Sequence, residues 1–582
     1  MVKSAFNVGT DATAIESRER TDSTSSIDSV AAGAPAGLRD FQGLAAYGLL
    51  DHAAKLVPRR NALVFGDQSF CYEELYQKTI DVAATLQRLG LQPGDRVGIL
   101  LPNVPEYVIA LNAVWRAGGV AVAISPLMVA DEVAALVSKT NCSLVITLDL
   151  LSGLTSTSDA DLLLVSLRDH LPSWARLAYR WELHKRTGQW SIPDDTRHRW
   201  LWDEVTGTKQ PFQSVEFDPA STPAYILPTG GTTGSPKAVV LSHQNLVANA
   251  WQQYLWTRRS FANETMLAVL PFFHSYGLSA TVMTGAATAS TLVLHHRFET
   301  HAVARLIERH QPTVFHAVPA MLSALNVHYR AYPRRAPKRV GALKWVISGG
   351  ASLPAEVALE FAEHSGACVV EGYGLSEASP VTHVGHLFRE GVPGNIGYPL
   401  PQTRCQLVDP TDGYSPVGEG VTGELWVAGP QVMMGYLDDP DSTAEVKRGE
   451  WLRTGDLAVR DRNGRYAIVG RMKDLIITSG FNVYPRDVET ALMQVRGVAD
   501  VAVVGLPDAK RGEVVKAFIV VEKGSTFDEA AYRQHCASTL SKHKRPVVYE
   551  ACEGELPKNF LGKVLRRQLR ERELTVEPEV AA

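Results

Sequence analysis

No two of the six cysteines form a C-x-x-C pair. Cys71, Cys142, Cys368, Cys405, Cys536 and Cys552 are scattered over 582 residues, which argues against a disulfide framework or a cysteine zinc site and makes a reducing cytosol the expected compartment. Neither sign of charge dominates, since 58 Lys and Arg face 62 Asp and Glu. A net charge of −4 supplies no whole-chain field for nucleic acid, so that partner is not expected. Long apolar runs are scarce. The one stretch that could mimic a membrane span is Thr265 to Leu294, thirty residues without Asp, Glu, Lys or Arg. Pro271, His274, Ser275, Gly277 and Gly285 within it favour a buried core segment. Residues 1–38, rich in Ser, Thr, Ala, Gly and Asp, lack a signal-peptide apolar run and read as a disordered leader. A repeat with a period of about 20 to 50 residues is also missing, which excludes a solenoid.

What is present is globular. At about 100 to 200 residues per domain, the length predicts two to four domains, each able to bury a core. From Asn61, short apolar runs alternate with helix-period stretches: Ala62–Phe65, Tyr72–Leu89, Arg96–Leu101, Glu106–Ala117. The beat returns at Leu144–Thr147, Thr291–Leu294, Ala302–His310 and Leu343–Ser348, the pattern of parallel α/β sheets covered on both faces. After Gly418 the chain turns to short β runs such as Gly423–Gly429 and Gly464–Gly470, and beyond Arg471 to a compact α+β alternation. The expected class is therefore α/β. A large N-terminal domain, 39–471, carries a β-rich subdomain at about 400–470, and a small α+β C-terminal domain spans 472–582.

The most informative segment is Thr229-Gly-Gly-Thr-Thr-Gly-Ser-Pro-Lys237. Gly230, Gly231 and Gly234 allow close backbone approach, Thr229, Thr232 and Thr233 offer hydroxyls, and Lys237 offers a point charge, a set suited to a polyphosphate. Ser235-Pro236 separates Gly234 from Lys237, so this is not a Walker P-loop. The bland reading is a flexible turn between a strand at Ala224–Leu227 and a helix after Ser242. Two decoys fail on context. Gly418-Glu-Gly-Val-Thr-Gly423 precedes a strand instead of opening a helix, and Ser376 lacks the second glycine of a nucleophile elbow.

The segment resembles the phosphate-binding signature of the acyl-adenylate-forming superfamily. Further blocks arrive in that superfamily's order: Pro271-Phe-Phe-His274, Ser348-Gly-Gly-Ala351, Glu371-Gly-Tyr-Gly-Leu-Ser-Glu377, Thr454-Gly-Asp456, Gly470-Arg-Met-Lys-Asp474 and Leu556-Pro-Lys-Asn-Phe-Leu-Gly-Lys563. The likeness covers about Leu49 to Arg572. Ser479-Gly-Phe-Asn-Val-Tyr-Pro485 and Gly562-Lys-Val-Leu-Arg-Arg567 most resemble bacterial long-chain fatty-acid CoA ligases.

The resemblance implies ATP and coenzyme A as co-substrates, a fatty acid as substrate, Mg²⁺ as cofactor and a mobile C-terminal domain. It implies catalytic roles for Lys563, Lys237 and Thr233, and an ATP or AMP site that adds Gly350, Ala351, Glu371, Gly372, Tyr373, Gly374, Ser376, Asp456 and Arg471. Glu377 would hold the metal, since a hard cation takes oxygen ligands. Asp456 would accept from the ribose hydroxyls, and Lys473 would be the hinge. His274, Tyr276, Gly277 and Gly349 would line the acyl pocket, with Gly277, Ser279, Ala280 and Gly285 leaving room for the chain. Ser479, Gly480 and Phe481 would meet coenzyme A. Taken singly, each has a bland alternative: a solvated turn carboxylate for Glu377 and Asp456, packing for Tyr373 and His274, a basic amphipathic helix around Lys563. Ala238 departs from the pattern, standing where glycine is usual.

Two other functions remain beside acyl-CoA formation: loading of a carrier-protein phosphopantetheine, and a silent lipid-binding protein on the same fold. An aryl acid also remains open. In 171–200, Trp174, Tyr179, Trp181, Trp190 and Trp200 interleave with Arg176, Arg180, Lys185, Arg186, Arg197 and Arg199. This pattern fits either weak peripheral contact with an anionic inner-membrane face or an insertion helix packed on its own domain.

Overall fold

The computed structural model describes residues 43–575 except 193–194, 196, 230–236, 340, 390, 509 and 559–563. The leader lies outside the described residues, as do Gly230, Gly231, Thr232, Thr233, Gly234 and Lys563.

Two large sheets dominate. One has nine strands, with the six parallel strands Cys368–Gly374, Trp345–Ser348, Val314–Ala317, Thr265–Ala268, Thr291–Leu294 and Asn61–Phe65 at its centre. The other has eight, with Val120–Ala123, Arg96–Leu100 and Cys142–Leu148 central and parallel. Antiparallel strands stand at both edges of the first sheet, Gln68–Cys71 at one and Val381–Val384 with Tyr398–Pro399 at the other, and at one edge of the second, Lys237–Ser242 with Gly435–Tyr436.

The helices Pro105–Arg116 and His243–Trp256 contribute to the same apolar cluster as side chains from both sheets. Every residue of Pro105–Arg116 is buried, which explains why its sequence is mostly apolar, with Pro105 fixing the first turn and the three polar residues paired: Glu106 with His170, Asn112 with the Val108 carbonyl and Arg116 with Asp51. His243–Trp256 starts where Ser242 and Asn245 cap each other reciprocally, at 3.1 and 2.9 Å. The far faces of the sheets are covered separately. Thr300–His310, Pro319–Ala331 and Ala355–Ser365 cover the nine-stranded sheet, and Ala130–Thr140 with Ser173–Thr187 the eight-stranded one.

Differences from the sequence reading are local. The polyphosphate-type segment does not run straight to a helix: Lys237–Ser242 forms a strand that returns antiparallel on Pro223–Thr229. Ala238, the departure from the expected glycine, lies in that strand with its methyl buried. Thr265 to Leu294 resolves into a strand, a turn, helical turns over Ser275–Ala287 and a second strand. Among the described residues no helix is long and apolar enough to cross a membrane.

A third sheet, Arg404–Val408, Gly423–Ala428, Trp451–Arg460 and Tyr466–Arg471 with the short Lys447–Arg448, is antiparallel. After the single turn Met472–Asp474, a fourth sheet and its helices enclose two apolar clusters of their own. The predicted basic helix runs from Arg566 to Thr575, with Leu569 buried in one of those clusters.

The inter-sheet layer gives a stability prediction. Trp115 is fully buried and its indole N–H donates to the Ala224 carbonyl at 2.8 Å. Trp115→Ala should cost about 3 to 5 kcal/mol, read as a fall in the denaturant midpoint of unfolding.

Candidate active site

A cavity of about 970 Å³ opens at the carboxyl ends of the parallel strands, where Thr229, Gly349, Gly350, Tyr373 and Gly374 line it. This is where open α/β sheets bind ligands. The segments that meet here are held by the strands beneath them. Asn103 clamps the turn after Thr265–Ala268, donating to the Leu270 carbonyl at 2.7 Å and accepting from the Phe272 amide at 2.9 Å. The clamp ties a loop of one large sheet to a loop of the other.

At the mouth, the Thr229 hydroxyl donates to the Lys237 carbonyl at 3.2 Å, closing the base of the hairpin. The Lys237 ammonium lies 5.0 Å from the Tyr436 ring centroid and 3.9 Å from a Glu445 carboxylate oxygen. The hydroxyl of Tyr436 donates to Glu377 Oε1 at 2.9 Å. Burial, then the nearby Glu377 charge, pushes the Tyr436 phenol upward, so it stays protonated and donating. Glu377 itself sits on the turn Ser376–Ala378 and lines the cavity.

Beside it, Asp456 accepts from the Tyr373 hydroxyl at 2.6 Å and from Arg471 Nε at 2.9 Å. Asp456 and Arg471 are cross-strand partners, so sheet register makes this pair. Gly374 is required by sterics: a Cβ there would lie 1.9 Å from the Pro380 carbonyl oxygen.

Behind the mouth the cavity turns apolar. Residues two apart on neighbouring strands face it: Val314 and His316, Trp345, Ile347 and Gly349, with Met266 in register with Val314. Val381, Val384 and Leu387 line it from the adjoining segment. At the opposite end lies Glu264, 3% exposed as a side chain, held by Lys344 at 2.9 Å and the Ser260 hydroxyl at 2.6 Å. From Trp345 to Gly349 the strand covers about 13 Å.

Most of the predicted site residues in the described part of the chain meet here. Thr229, Lys237, His274, Tyr276, Gly349, Gly350, Gly372, Tyr373, Gly374, Ser376, Glu377, Arg471 and Lys473 line the cavity, and Asp456 is bonded to two of them. Burial lowers His274 to about 4, so near neutral pH it offers a ring nitrogen and no charge.

Others do not line the cavity. Ala351 and Glu371 stand off the cavity wall. Gly277 does not leave room for a ligand, because its missing side chain admits the Pro271 carbonyl oxygen, 2.1 Å from where a Cβ would sit. Gly285 likewise accommodates Leu292, and Ser279 hydrogen-bonds Asn249 and Gln253. Ser479 and Gly480 form a hairpin turn in the C-terminal part with positive φ. Phe481 stacks on His543 at 4.7 Å, and none of these three lines the cavity.

Tyr436, Glu445, Met266, Trp345 and Glu264 were missed. For Tyr436 a signal existed, since Gly435-Tyr436 lies in a turn-rich stretch between two of the recognised blocks. The other four carry none. Among the described residues no group of three or more His, Cys, Asp or Glu could cage a metal. A single carboxylate with one oxygen already hydrogen-bonded suits a hard cation that arrives with most of its ligands, as Mg²⁺ does on phosphates.

Glu371 supplies a pH test. Burial raises its carboxyl to about 7, against the opposing charge of Arg486 from the C-terminal part. A folded-state value above the unfolded one means the native state binds the proton more tightly, so stability falls as pH rises through that window. Glu371→Gln should therefore raise the thermal midpoint relative to the parent above pH 7, and the gain should shrink toward pH 5.

Comparisons with known proteins agree with this geometry. Residues 50–437 match the model of the family described as AMP-binding enzyme, and 487–563 that of its C-terminal domain. The long-chain-fatty-acid–CoA ligase of Bacillus subtilis is 36% identical over 90% of this chain and 94% of its own. A feruloyl-CoA synthase of Amycolatopsis is 31% identical over 89% and 97%. The ATP-bound crystal structure of MatB from Rhodopseudomonas palustris superposes with a TM-score of 0.79 at 28% identity, covering 92% of this chain and all of that one. The chain belongs to the AMP-binding enzyme family.

Proposed function

We propose that the protein is an AMP-forming ligase that activates a long-chain fatty acid as its acyl-adenylate and then transfers the acyl group to coenzyme A. The observation that carries this reading is one cavity with two chemistries: a charged mouth at Lys237, Glu377, Asp456 and Arg471, and an apolar shaft along Met266, Val314, Trp345 and Ile347. A fatty acid needs both. The shaft gains about 0.8 kcal/mol per buried methylene, while the carboxylate stays at the mouth, where attack on the α-phosphate of ATP occurs.

In the first step a carboxylate oxygen bonds to the α-phosphorus and the bond to the β-phosphate bridge oxygen breaks, releasing pyrophosphate. Lys237 and the hydroxyls and amides of 229–234 would hold the phosphates, and Lys563 would face the charge that develops on the α-phosphate. Glu377 would hold the Mg²⁺ that accompanies ATP, whose charge offsets that of the phosphate oxygens. Asp456 would accept from the ribose hydroxyls, with Arg471 and Tyr373 holding its carboxylate in place.

In the second step the thiolate of coenzyme A adds to the acyl carbonyl and AMP leaves with the electron pair of the anhydride bond. The single turn Met472–Asp474 would be where the C-terminal domain, 472–582, rotates to exchange Lys563 for Ser479, Gly480 and Phe481. Pyrophosphate release on mixing with ATP, Mg²⁺ and a fatty acid tests the first step, and a requirement for coenzyme A over a phosphopantetheinyl carrier tests the second. No pyrophosphate with any acid would leave a silent lipid-binding protein as the reading.

Lys563→Ala should slow adenylation by about 10²-fold or more yet convert supplied acyl-adenylate and coenzyme A at a near-parental rate. Equal slowing of both half-reactions would sink the two-conformation scheme. The shaft offers a separate check. At about 1.3 Å of advance per carbon–carbon bond, its strand-long wall spans roughly ten carbons before Trp345. Trp345→Ala should move the kcat/KM optimum toward longer acids, and an unchanged chain-length profile would show that the chain takes another route.

A further inference from the structure

The helix Ser173–Thr187 lies on the outer face of the eight-stranded sheet, away from the cavity, and the proposed reaction makes no use of it. Its inner side is fixed. Leu183 packs in the core of that face, and the buried Tyr179 donates its hydroxyl to Asp149 and accepts from the Leu167 amide at 3.3 Å. Its outer side has an unusual composition. Trp174 is 81% exposed, and Leu177 and Trp181 are each 67% exposed. At about 100° per residue these three fall within roughly 60° of one another, opposite Tyr179 and Leu183.

The stripe continues past the helix end. Trp190, 44% exposed, stacks on His184 at 4.2 Å and meets Trp181 edge-on at 6.1 Å. Arg180 and Lys185 flank the stripe, while the exposed Arg176 and Arg186 lie toward the borders of the scaffold side, where Arg186 pairs at 2.6 Å with the helix's one acid, Glu182. Two later members of the sequence cluster, Arg197 and Trp200, face inward. Arg197 donates to the Thr155 and Ala160 carbonyls, and Trp200 packs against the core of that face. The structure thus separates a working surface from its scaffold.

We infer that this helix is a docking surface for an anionic phospholipid bilayer. Charge selects the occupant. The whole chain carries −4, yet the helix carries four Lys and Arg against one Glu, so an anionic partner is drawn to this face in particular. Indole rings on a narrow stripe with long basic side chains beside them match the boundary between headgroups and acyl chains, where tryptophan settles and lysine and arginine extend to the phosphates. The helix is held by its opposite side, so it can lie in the plane of the bilayer without unfolding. A surface of this kind concentrates the enzyme where long-chain acids partition.

The test uses the full chain with vesicles of phosphatidylglycerol and phosphatidylcholine, and with phosphatidylcholine alone, in a flotation assay. The parent should float with the anionic vesicles, release as salt is raised, and show a blue shift of tryptophan emission. The triple variant Trp174→Glu, Leu177→Glu, Trp181→Glu should lose vesicle binding by tenfold or more. Arg180→Gln with Lys185→Gln should lose about fivefold per charge on anionic vesicles alone. Both should keep parental turnover on a short, water-soluble acid, which certifies their fold. Equal flotation of parent and triple variant would overturn the inference. So would failure of the parent to float, or a dimer in size-exclusion chromatography that the triple variant abolishes, since that would assign the stripe to a second copy.

Discussion

The charged mouth depends on Tyr436 standing between two groups that would otherwise neutralise each other. An ammonium and a carboxylate facing one cavity attract, and a direct ion pair would leave neither available to a ligand. Tyr436 engages both differently: its ring face receives the Lys237 ammonium at 5.0 Å, and its hydroxyl donates to Glu377 at 2.9 Å. Glu445 supplies the nearest carboxylate to Lys237, at 3.9 Å and largely exposed, a loose partner that a polyphosphate can displace. Lys237 and Glu377 are thereby engaged separately, as their proposed roles toward phosphate oxygens and Mg²⁺ would require. Tyr436 can hold this position because Gly435–Tyr436 pairs with the very strand that begins at Lys237.

The same economy runs through the rest of the cavity. Parallel strands send their carboxyl ends, and the turns that follow, to one side of each sheet, so Thr229, Gly349 and Tyr373 meet without a dedicated scaffold. Side-chain alternation does the remainder. One strand, Trp345–Ser348, gives Trp345 and Ile347 to the shaft and Val346 to the outer core. A single sheet therefore lines the apolar part of the cavity on one face and packs ordinary core on the other.

How much of this was legible follows from chain distance. Thr229 and Lys237 lie in a short contiguous block whose residue types already suggest phosphate, whereas Tyr373, Glu377 and Asp456 read singly as packing or turn residues and take their expected roles from the family resemblance. Trp345, Met266 and Glu264 belong to strands that read only as apolar β, and nothing local distinguishes the face that meets a ligand from the face that meets a helix. Small residues misled for a related reason. Gly277 reads as free space, but close approach of the Pro271 carbonyl occupies it. A glycine reports that something is near its Cα and does not say whether it is a ligand or backbone. The alternation of strands and helices set the class correctly, while the strand Lys237–Ser242 was hidden by its position directly after a turn signal.

The junction between the large domain and the C-terminal part ties the two half-reactions together electrostatically. Arg471 ends its strand paired to Asp456, and the turn Met472–Asp474 follows at once. In the proposed cycle a rotation centred on Lys473 would begin just beyond the Asp456–Arg471 pair and need not break it, so the carboxylate proposed to meet ribose would stay oriented through both steps. Arg486 sits on the other side of that turn. It donates to the Ile468 carbonyl and its charge favours ionised Glu371. Moving it away would leave Glu371 with its burial uncompensated and push its carboxyl further up. Under the proposed two-step cycle the two carboxylates would behave differently: Asp456 has its counter-charge within its own sheet, whereas Glu371 takes its counter-charge from the part proposed to move and would register where that part is.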